Sequence, residues 1–362
     1  MILIIINLLI ILAYLLTCLV PFADPIKFWF LSFLGLAFPF FAFALMGFTI
    51  YFFIIKSGWA WFSLFTLLIG FQQLTAVFAF HLPKKFVQSK SLNTLRILQY
   101  NVMGQEFVEN SRIKNNSFNY QKTLSFIKET NADVITFQEY STRLTDKNSS
   151  VPVFDSLGYP YHYFAVTENM SKIQYDGVAI FSKFPIVGDE TILLGSYEPA
   201  QDMIYADVKK DGKIFRIFSI HLQSIAIGDS HYTYPNEDEY GRKSAALIVN
   251  RPIAGKIKRT YDIHYQQSRM VREKINQSPH PIILGGDFNA VPNSHAYFTI
   301  KGNLQDAFLK KGTFLGKTFR YISPTLRIDY VLADPSFTVS QFTVPHIKFS
   351  DHFPVIADLQ YR

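Results

Sequence analysis

The first 82 residues alternate long apolar stretches with short polar breaks. Charged residues are absent from residues 2–20, 28–55 and 59–82. A membrane-spanning helix needs about 20 mainly apolar residues, so each stretch is long enough to cross a bilayer. Trp59 and Trp61 lie close to Lys56, a combination typical of the headgroup region. We therefore predict three transmembrane helices in a membrane domain over residues 1–82.

Two alternatives to membrane helices can be weighed from the sequence. A cleaved signal peptide at residues 2–20 would need a basic leading region and a shorter apolar run, and more apolar stretches follow it. Buried core helices of a globular protein would need polar surface on one side, which these Phe-rich stretches without acids lack. The membrane interpretation is favoured for all three.

From about residue 94 the pattern changes to short β-branched runs separated by polar segments. We predict strands at residues 95–102, 132–139, 176–183, 203–210, 213–222, 280–288, 327–333 and 354–361. Helices are predicted at residues 117–130 and at about 243–276. Many strands with few helices between them indicate an α/β domain of packed mixed sheets. This domain would span residues 95–362, and the linker at 83–94 is short enough to hold it near the bilayer.

Composition separates the same two parts of the chain. Hydrophobic residues make up 49% of the 362 residues, and residues 1–90 contain one acid, Asp24, beside five lysines. Residues 91–362 keep 30 basic and 27 acidic residues, a net charge of +3. That charge is compatible with a nucleic-acid substrate without arguing for one. Cys18, the sole cysteine, lies in the first apolar stretch, so no disulfide reports on the compartment.

The lysines next to the apolar stretches bear on orientation. Lys84, Lys85 and Lys90 after the third stretch, with Lys27 in the first loop, favour a cytoplasmic C-terminal domain, whereas Lys56 alone favours the opposite. Large domains can be translocated despite such charges, so the side of the membrane stays open. No charged residue lies within the apolar stretches, which argues against an ion path and for simple anchoring in a multi-pass cell-membrane protein.

Polar residues stand at the ends of most predicted strands of the second part. They are Asn101, Glu139, His221, Asp287, Asn289, Asp329, Asp351 and His352. Each alone has an ordinary explanation, such as an Asx turn or a satisfied core histidine. Ordinary explanations do not suffice for all eight together. Burying carboxylates beside apolar strands costs free energy unless a cation or hydrogen bonds compensate their charge.

The residue types of this set indicate a particular metal chemistry. Four acids and two amides come with two histidines but no thiolate, a donor set that suits Mg²⁺ or Mn²⁺ and disfavours structural zinc. A divalent cation would also keep the acids ionised against their mutual repulsion. We expect Gly285 and Gly286 to remove side chains where a substrate approaches the backbone.

Seven short segments carry a family resemblance. In chain order they are LQYNV, FQE, DGVAIFSKFPI, SIHLQS, GGDFNAVP, RIDYVL and SDHFPV. Together they resemble the endonuclease/exonuclease/phosphatase superfamily in its deoxyribonuclease I-like form, over about residues 95–362. The resemblance implies a four-layered α/β sandwich, in which two packed mixed β-sheets are flanked by helices and the catalytic groups collect at one edge.

The resemblance also implies a metal side of the site. Glu139 would bind the metal with Asn101 beside it, and Asp351 would support it. Two departures from the family pattern stand out. The chain reads NVMGQ after its first strand, without the second acid of many nuclease members, which weakens a two-metal proposal. Ser219 replaces a frequent asparagine two residues before His221, which leaves the support of that histidine open.

On the catalytic side, the resemblance implies one role for each remaining residue. Asp287 would orient or deprotonate the attacking water, and Asn289 would hold the phosphate. His352, oriented by Asp329, would contact the phosphate as a cation. His221 would donate a hydrogen bond to the phosphate or help the leaving oxygen.

Three function hypotheses follow. The first is a membrane-anchored phosphoesterase that uses Mg²⁺ or Mn²⁺ to hydrolyse a phosphodiester, nuclease-like, by in-line attack of water. The second is a phospholipid or inositol-phosphate hydrolase that acts near the lipid bilayer. The third, a catalytically silent protein that binds phosphorylated ligands, is the weakest, because a silent protein has no need of all these groups. No obligate protein partner is evident from the sequence.

The natural substrate is not readable from the sequence. We expect its choice to depend on residues 225–277, which include the acidic and aromatic loop HYTYPNEDEYGRK followed by several basic residues. Those basic residues predict either a solvated helix face or a surface for phosphate or lipid headgroups.

Overall fold

The computed structural model describes residues 1–107, 116–143, 150–169, 174–195, 202–224, 232–233, 246–247, 251–321 and 323–361. Its helices are α1 Ile2–Leu19, α2 Trp29–Ile54, α3 Trp59–Ile69, α4 Phe71–Val77, α5 Asn116–Thr130, α6 Val151–Ser156, α7 Arg251–Asn276, α8 His295–Lys301 and α9 Ala307–Lys311. Its strands up to residue 221 are β1 Ala79–Phe80, β2 Thr94–Glu106, β3 Val134–Arg143, β4 Tyr161–Asn169, β5 Gln174–Ser182, β6 Ile186–Leu193, β7 Asp202–Lys210 and β8 Lys213–His221. The later strands are β9 Tyr232–Thr233, β10 Ala246–Leu247, β11 Ile282–Asp287, β12 Gln305–Asp306, β13 Thr313–Phe314, β14 Asp329–Ala333, β15 Thr338–Thr343 and β16 Val355–Gln360.

Two six-stranded sheets form the centre of the second part of the chain. Sheet I has the order β15-β16-β2-β3-β5-β4, and sheet II has the order β12-β14-β11-β8-β7-β6. The pairs β2–β3 and β8–β11 are parallel, and the other neighbours in both sheets are antiparallel. Both sheets are therefore mixed, as predicted.

Three apolar clusters hold the layers together. Ile97 of sheet I and Ile283 of sheet II belong to the cluster between the sheets. On the outer side of sheet II, Leu284 belongs to one cluster with Val271 of α7. On the outer side of sheet I, Phe137 clusters with residues of α5 and α6. These layers confirm the predicted four-layered α/β sandwich.

All eight predicted strands and both predicted helices are present, although the helix predicted at about 243–276 begins at Arg251 and residues 246–247 form strand β10. The sequence pattern missed the two-residue strands β1, β9, β10 and β13, which lie outside the two large sheets. The strands that it missed within the two large sheets share one property. Strands β4, β6, β12 and β15 are the edge strands of the two sheets. In β6 the side chains alternate between half-buried and exposed, so the strand lacks the continuous apolar run of a central strand. An edge strand covered on only one side gives a weak sequence signal.

Two N-terminal helices, α1 and α2, are long and apolar enough to cross a membrane. The third predicted span is not one straight helix, because α3 and α4 meet at Gly70 with a bend of 64° and α4 ends at Val77. A Cβ atom at Gly70 would overlap the Tyr14 hydroxyl and approach the Cys18 sulfur, so glycine lets α1 pack against the bend. The described part of the chain thus has two candidate spans, or three if the bent pair counts as one.

The apolar helices pack directly on the sandwich. The Asn293 Nδ2 atom donates to the Thr17 carbonyl oxygen at 3.0 Å, at the end of α1. On α2, a Cβ atom at Gly35 would lie only 2.5 Å from the Asn293 carbonyl oxygen, so glycine permits this contact. After α4, strand β1 pairs with β13 of the second part. The N-terminal helices are therefore built into the same structure as the sheets.

A buried ion pair joins α4 to sheet II. Arg327 is 1% exposed, and its guanidinium donates to Asp306 Oδ2 at 2.6 Å and to the Ala76 carbonyl oxygen at 2.9 Å. Tyr297 also donates its hydroxyl hydrogen to Asp306 Oδ2, at 2.8 Å. Removing one partner of a buried pair leaves the other charge uncompensated, which is strongly destabilising.

We expect Arg327→Met to lower the free energy of unfolding by about 3–5 kcal/mol, because Asp306 keeps its burial but loses its cation. The matched control is Lys274→Met, which breaks the partly exposed Lys274–Glu190 pair and should cost about 0–1 kcal/mol. Thermal melting of the full-length protein in detergent, followed by circular dichroism, compares the two. Equal melting temperatures for both variants would contradict the structural role of this pair.

Candidate active site

Strand register alone brings three of the predicted site residues together. Asp287 is the last residue of β11, and its register partners are Asp329 on the antiparallel strand β14 and His221 on the parallel strand β8. Asp287 and Asp329 are 0% and 2% exposed. One end of sheet II therefore presents two buried carboxylates and an imidazole side by side.

The two glycines before Asp287 serve packing, which corrects the expectation that they make room for substrate. A Cβ atom at Gly285 would overlap the Thr136 hydroxyl of sheet I, and one at Gly286 would lie 2.6 Å from the Ile220 carbonyl oxygen. Glycine at both positions lets β11 approach its neighbours closely. The two sheets can then meet at the level of Asp287.

Sheet I contributes Asn101 and Glu139 through irregularities in its ladders. The β2–β3 register shifts after Asn101, and the β3–β5 register shifts between Phe137 and Tyr140, where Glu139 has a φ angle of 48°. Such bulges re-aim side chains at the ends of strands. The Asn101 Nδ2 atom donates to Glu139 Oε1 and to Asp287 Oδ2, each at 3.0 Å. Asn101 thus joins carboxylates from the two sheets.

His352 lies just before β16 and faces Asp287 and Asp329. Its Nδ1 atom is 2.9 Å from Asp329 Oδ2, and its Nε2 atom is 3.6 Å from Asp287 Oδ2. The Ser350 hydroxyl accepts from the His352 backbone N–H at 3.2 Å and donates to the Asn101 carbonyl oxygen at 2.8 Å. This serine fixes the loop of His352 against β2.

His221 and Asn289 complete the sheet II side. The His221 Nε2 atom lies 3.7 Å from Glu139 Oε1 and 3.9 Å from Asp287 Oδ2, and it has no hydrogen-bond partner among the described residues. Asn289 donates its backbone N–H to Asp287 Oδ1 at 2.8 Å and its Nδ2 to the Leu222 carbonyl oxygen at 3.0 Å. Both residues therefore border the Asp287 carboxylate.

Burial and neighbouring charges set the protonation of the central pair. Burial raises the pKa of Asp287 to about 6, although the positive charge of His352 opposes the rise. For His352, burial lowers the pKa, but the carboxylates of Asp329 and Asp287 outweigh burial and raise the pKa well above its ordinary value. The geometry therefore favours an imidazolium next to a carboxylate that titrates near neutral pH.

The metal side gathers negative charge around Glu139. Burial, and then the charge of Asp351, raises the pKa of Glu139. Asp351 is half-buried, and its Oδ1 atom lies 3.1 Å from the Ser350 hydroxyl oxygen. Burial lowers the pKa of His221, so this imidazole favours its neutral form. Glu139 thus lies in a region where a cation would relieve electrostatic repulsion.

A layer of buried amides and hydroxyls supports the site, and the sequence analysis assigned it no role. Gln99 Nε2 donates to Gln138 Oε1 at 2.7 Å and to Asp329 Oδ1 at 3.1 Å. Gln138 in turn donates to the Ser219 hydroxyl at 3.1 Å, so Ser219 belongs to this layer. The signal for both glutamines was a polar residue inside an apolar strand. Thr318, which accepts from the Asp329 backbone N–H at 3.1 Å, has no such signal.

Two groups of side chains could hold a cation. One atom each of Asp287, Asp329 and His352 lie within 4.8 Å of one another. The second group is Glu139 Oε1 with Asp287 Oδ2, which converge on the Asn101 amide. The donors are mainly hard oxygen atoms without sulfur, so the residues fit a divalent cation of the Mg²⁺ type.

The segment expected to choose the substrate is described only in part. The loop HYTYPNEDEYGRK lies outside the described residues, except for the strand Tyr232–Thr233. Of the basic residues after it, Arg272 donates to Asn303 Oδ1 at 2.8 Å, while Lys258, Arg259 and Arg269 are exposed. The choice between a solvated helix face and a phosphate-binding surface stays a prediction.

Comparison with known proteins gives two family matches. Residues 98–352 match the model of the Endonuclease/Exonuclease/phosphatase family, and residues 1–77 match a domain of unknown function (DUF8431). The first match contains all eight predicted site residues. No curated protein matches the sequence.

Solved structures share the fold at low sequence identity. An endonuclease/exonuclease/phosphatase family protein from Bacteroides thetaiotaomicron is 19% identical with a TM-score of 0.54, over 74% of this chain and 98% of that one. A mannosyl-6-phosphatase from the same species is 19% identical with a TM-score of 0.52, over 74% and 100%. The human Nocturnin catalytic domain with bound sulfate anion is 18% identical with a TM-score of 0.51, over 75% and 94%. At these identities the neighbours show the common fold.

We expect Mg²⁺ or Mn²⁺ to raise the melting temperature of the EDTA-treated full-length protein, because a ligand at 100 times its dissociation constant stabilises by about 2.7 kcal/mol. Glu139→Gln should lose most of this shift. The control Asp189→Asn, at an exposed position of β6, should keep it. A shift that is the same in wild type and Glu139→Gln would place the cation elsewhere.

Proposed function

This chain belongs to the endonuclease/exonuclease/phosphatase family and is a hydrolase of phosphate esters, and from that premise we propose that it is a membrane-anchored, divalent-metal-dependent phosphodiesterase. The observation that carries the proposal is the buried Asp287 carboxylate, which contacts Asn101 at 3.0 Å and His352 at 3.6 Å where the two sheets meet. Buried acid, imidazolium and neighbouring oxygen donors are the groups that water attack on a phosphodiester requires.

We assign the cation, Mg²⁺ or Mn²⁺, to Glu139, Asn101 and Asp351. Asp329 and His352 already satisfy each other at 2.9 Å, which makes them poorer ligands than the Glu139 side. In the described geometry Asn101 lies beside this position, because its Nδ2 donates to both carboxylates and its Oδ1 accepts from the Met103 backbone N–H at 3.0 Å. An amide rotated to present its oxygen to the cation would give up these contacts. When bound, the cation supplies positive charge for the phosphate oxygens.

Asp287 is the proposed base or orienting group for the attacking water. Its pKa of about 6 makes it mostly ionised, yet able to accept a proton, near neutral pH. The Asn289 backbone N–H and the Asn101 amide hold the carboxylate in place from two sides. Asn289 uses one amide hydrogen on Leu222, which leaves the second for a phosphate oxygen.

The two histidines are proposed to contact the phosphate in different charge states. His352, held by Asp329, would donate from Nε2 as a cation and stabilise charge on the equatorial oxygens. His221 favours the neutral form, and its Nε2 atom is free of hydrogen bonds among the described residues. We propose that His221 donates to the phosphate or to the leaving oxygen.

A phospholipid or inositol-phosphate hydrolase is the second candidate function. It is favoured by the direct contacts of Asn293 with Thr17 and of Arg327 with Ala76, which hold the sandwich against the apolar helices. The catalytic edge would then work at a fixed place relative to the bilayer. A silent phospholigand-binding protein is less well supported, because every predicted catalytic group lies within the same site.

Asp287→Asn keeps the side-chain shape but removes the base, so we expect hydrolysis of bis(p-nitrophenyl) phosphate to fall by about 10²–10⁴-fold. The full-length protein is assayed in detergent with Mg²⁺ or Mn²⁺, and circular dichroism checks that the variant is folded. Asp189→Asn serves as the matched control and should retain full turnover. Wild-type turnover in Asp287→Asn would remove Asp287 from the mechanism.

The same preparation separates the two candidate functions. We expect single-stranded or double-stranded nucleic acid to be hydrolysed faster than sphingomyelin or phosphatidylinositol phosphates in vesicles. The rate measured with Asp287→Asn is subtracted as the background that does not depend on the proposed site. Faster hydrolysis of the lipids would replace the first candidate by the second.

Asp329→Asn tests the charge state of His352. The Asp329 carboxylate raises the pKa of His352 against the effect of burial, so the variant should have a lower His352 pKa. Activity that needs the cation is lost as the pH rises through that pKa, so the alkaline limb of kcat/KM should move down by about one pH unit or more. An alkaline limb at the wild-type position would exclude a cationic role for His352.

A further inference from the structure

A cavity away from the catalytic edge separates α4 from the outer elements of sheet II. Its volume is about 570 Å³. Gln72 and Thr75 of α4 line one wall, and Phe298, Lys301 and Lys310 line the facing wall on α8 and α9. None of these residues belongs to the site around Asp287. The cavity is therefore separate from the proposed catalytic site.

The lysines give the cavity a positive charge. Neither Lys301 nor Lys310 forms an ion pair within the described part of the chain, and the Lys301 Nζ atom has only a long contact of 3.5 Å with the Gly302 carbonyl oxygen. Burial, together with the charge of Lys310, lowers the pKa of Lys301, although Asp306 opposes this effect. Both lysines line the same cavity, which therefore offers an anion two ammonium groups.

The carboxylate of the cavity lining is already neutralised. Asp306 Oδ2 accepts from Arg327 at 2.6 Å and from the Tyr297 hydroxyl at 2.8 Å, and Asp306 Oδ1 accepts from the Phe308 backbone N–H at 2.9 Å. A carboxylate with three such donors does not balance the two lysines. The net charge available to a ligand in the cavity is positive.

Exposed apolar side chains flank α4, which forms one wall of the cavity. Phe71, at the start of α4, is 61% exposed, and Phe80 and Leu82, just after α4, are 75% and 83% exposed. His81 lies between the latter two, and its Nε2 atom is 3.1 Å from the carbonyl oxygen of Leu309 in the cavity wall. Large apolar side chains with this exposure suit contact with lipid chains.

Phe298 of the cavity wall also contacts the loop between the two candidate spans. Its ring centroid lies 6.2 Å from that of Phe22, which is 62% exposed. The cavity is thus bordered by the α1–α2 loop on one side and by the bent helix pair on the other. The loop joins the two candidate spans, and the bent pair could form a third.

We propose that this cavity binds the phosphate headgroup of an anionic glycerophospholipid from the surrounding bilayer. The phosphate contacts Lys301 and Lys310, and the acyl chains lie along Phe80 and Leu82. The Gln72 amide offers a further hydrogen-bond donor to the headgroup, whereas the Thr75 hydroxyl donates to the Phe71 carbonyl oxygen within α4 at 3.0 Å. A bound lipid also holds α4 against the sandwich next to Ala76. This binding is independent of the chemistry proposed at Asp287.

The test measures binding of phosphatidylglycerol and phosphatidylcholine to the full-length protein in neutral detergent by native mass spectrometry. Wild type should bind one phosphatidylglycerol molecule more tightly than phosphatidylcholine. The double variant Lys301→Gln/Lys310→Gln should weaken phosphatidylglycerol binding by about tenfold or more, since each lysine near an anionic lipid contributes about fivefold. Its hydrolysis of bis(p-nitrophenyl) phosphate should stay at the wild-type rate.

The matched control is Lys84→Gln/Lys85→Gln, which removes two exposed lysines of the segment after β1. This double variant should keep the preference for phosphatidylglycerol over phosphatidylcholine. If it lost as much phosphatidylglycerol binding as Lys301→Gln/Lys310→Gln, the binding would reflect general electrostatic attraction, and the proposal would be overturned. Lys310→Gln alone changes an exposed side chain and should lose part of the preference for phosphatidylglycerol. This single variant keeps the test decisive if the double variant does not fold. Inorganic phosphate that binds as tightly as phosphatidylglycerol, or equal binding of both lipids, would also overturn it.

Discussion

The carboxylate of Asp287 is buried at the junction of the two sheets, and the arrangement of the site depends on compensating its charge. An unpaired carboxylate at such a place would cost several kcal/mol, so its neighbours must supply hydrogen bonds or positive charge. Asn101 of sheet I donates to it, the Asn289 backbone donates to it, and His352 faces it as a cation. Since these groups come from different sheets and loops, the carboxylate is satisfied only when the whole sandwich is assembled. The constraint that stabilises the fold also gathers the groups that hydrolysis of a phosphate ester needs.

The need to compensate a buried charge also connects the apolar helices to the sandwich. Arg327 lies two residues before Asp329, and its buried guanidinium is shared between Asp306 and the Ala76 carbonyl oxygen at the end of α4. Loss of α4 would leave part of that guanidinium without its acceptor. The N-terminal segment is therefore part of the folded structure, because it completes a buried polar network next to the strand that carries Asp329, the partner of His352. Experiments on function accordingly use the full-length chain.

Much of this arrangement could be predicted from the sequence, and the exceptions have physical reasons. The central strands gave long apolar runs, and polar residues at their ends identified the members of the candidate site. The edge strands were missed because a one-sided strand such as β6 alternates in exposure. The glycine at the helix break packs against the distant Tyr14, and the packing role of Gly285 depends on Thr136 of the other sheet. Contacts between residues far apart in the chain are not visible in a local pattern. The support of Asp329 by Gln99 was missed for the same reason.

The proposed metal side is tested most directly by an anomalous-difference map of crystals of the full-length protein grown with Mn²⁺. We expect a manganese peak about 2 Å from the Glu139 carboxylate, with the Asn101 amide and Asp351 on the same side and Asp287 next to it. The contact between His352 and Asp329 should persist, because Asp329 orients the protonated His352 imidazole towards the phosphate. A peak held only by Asp329 and His352, or no manganese at Glu139, would contradict the proposed division of the site into a metal side and a catalytic side.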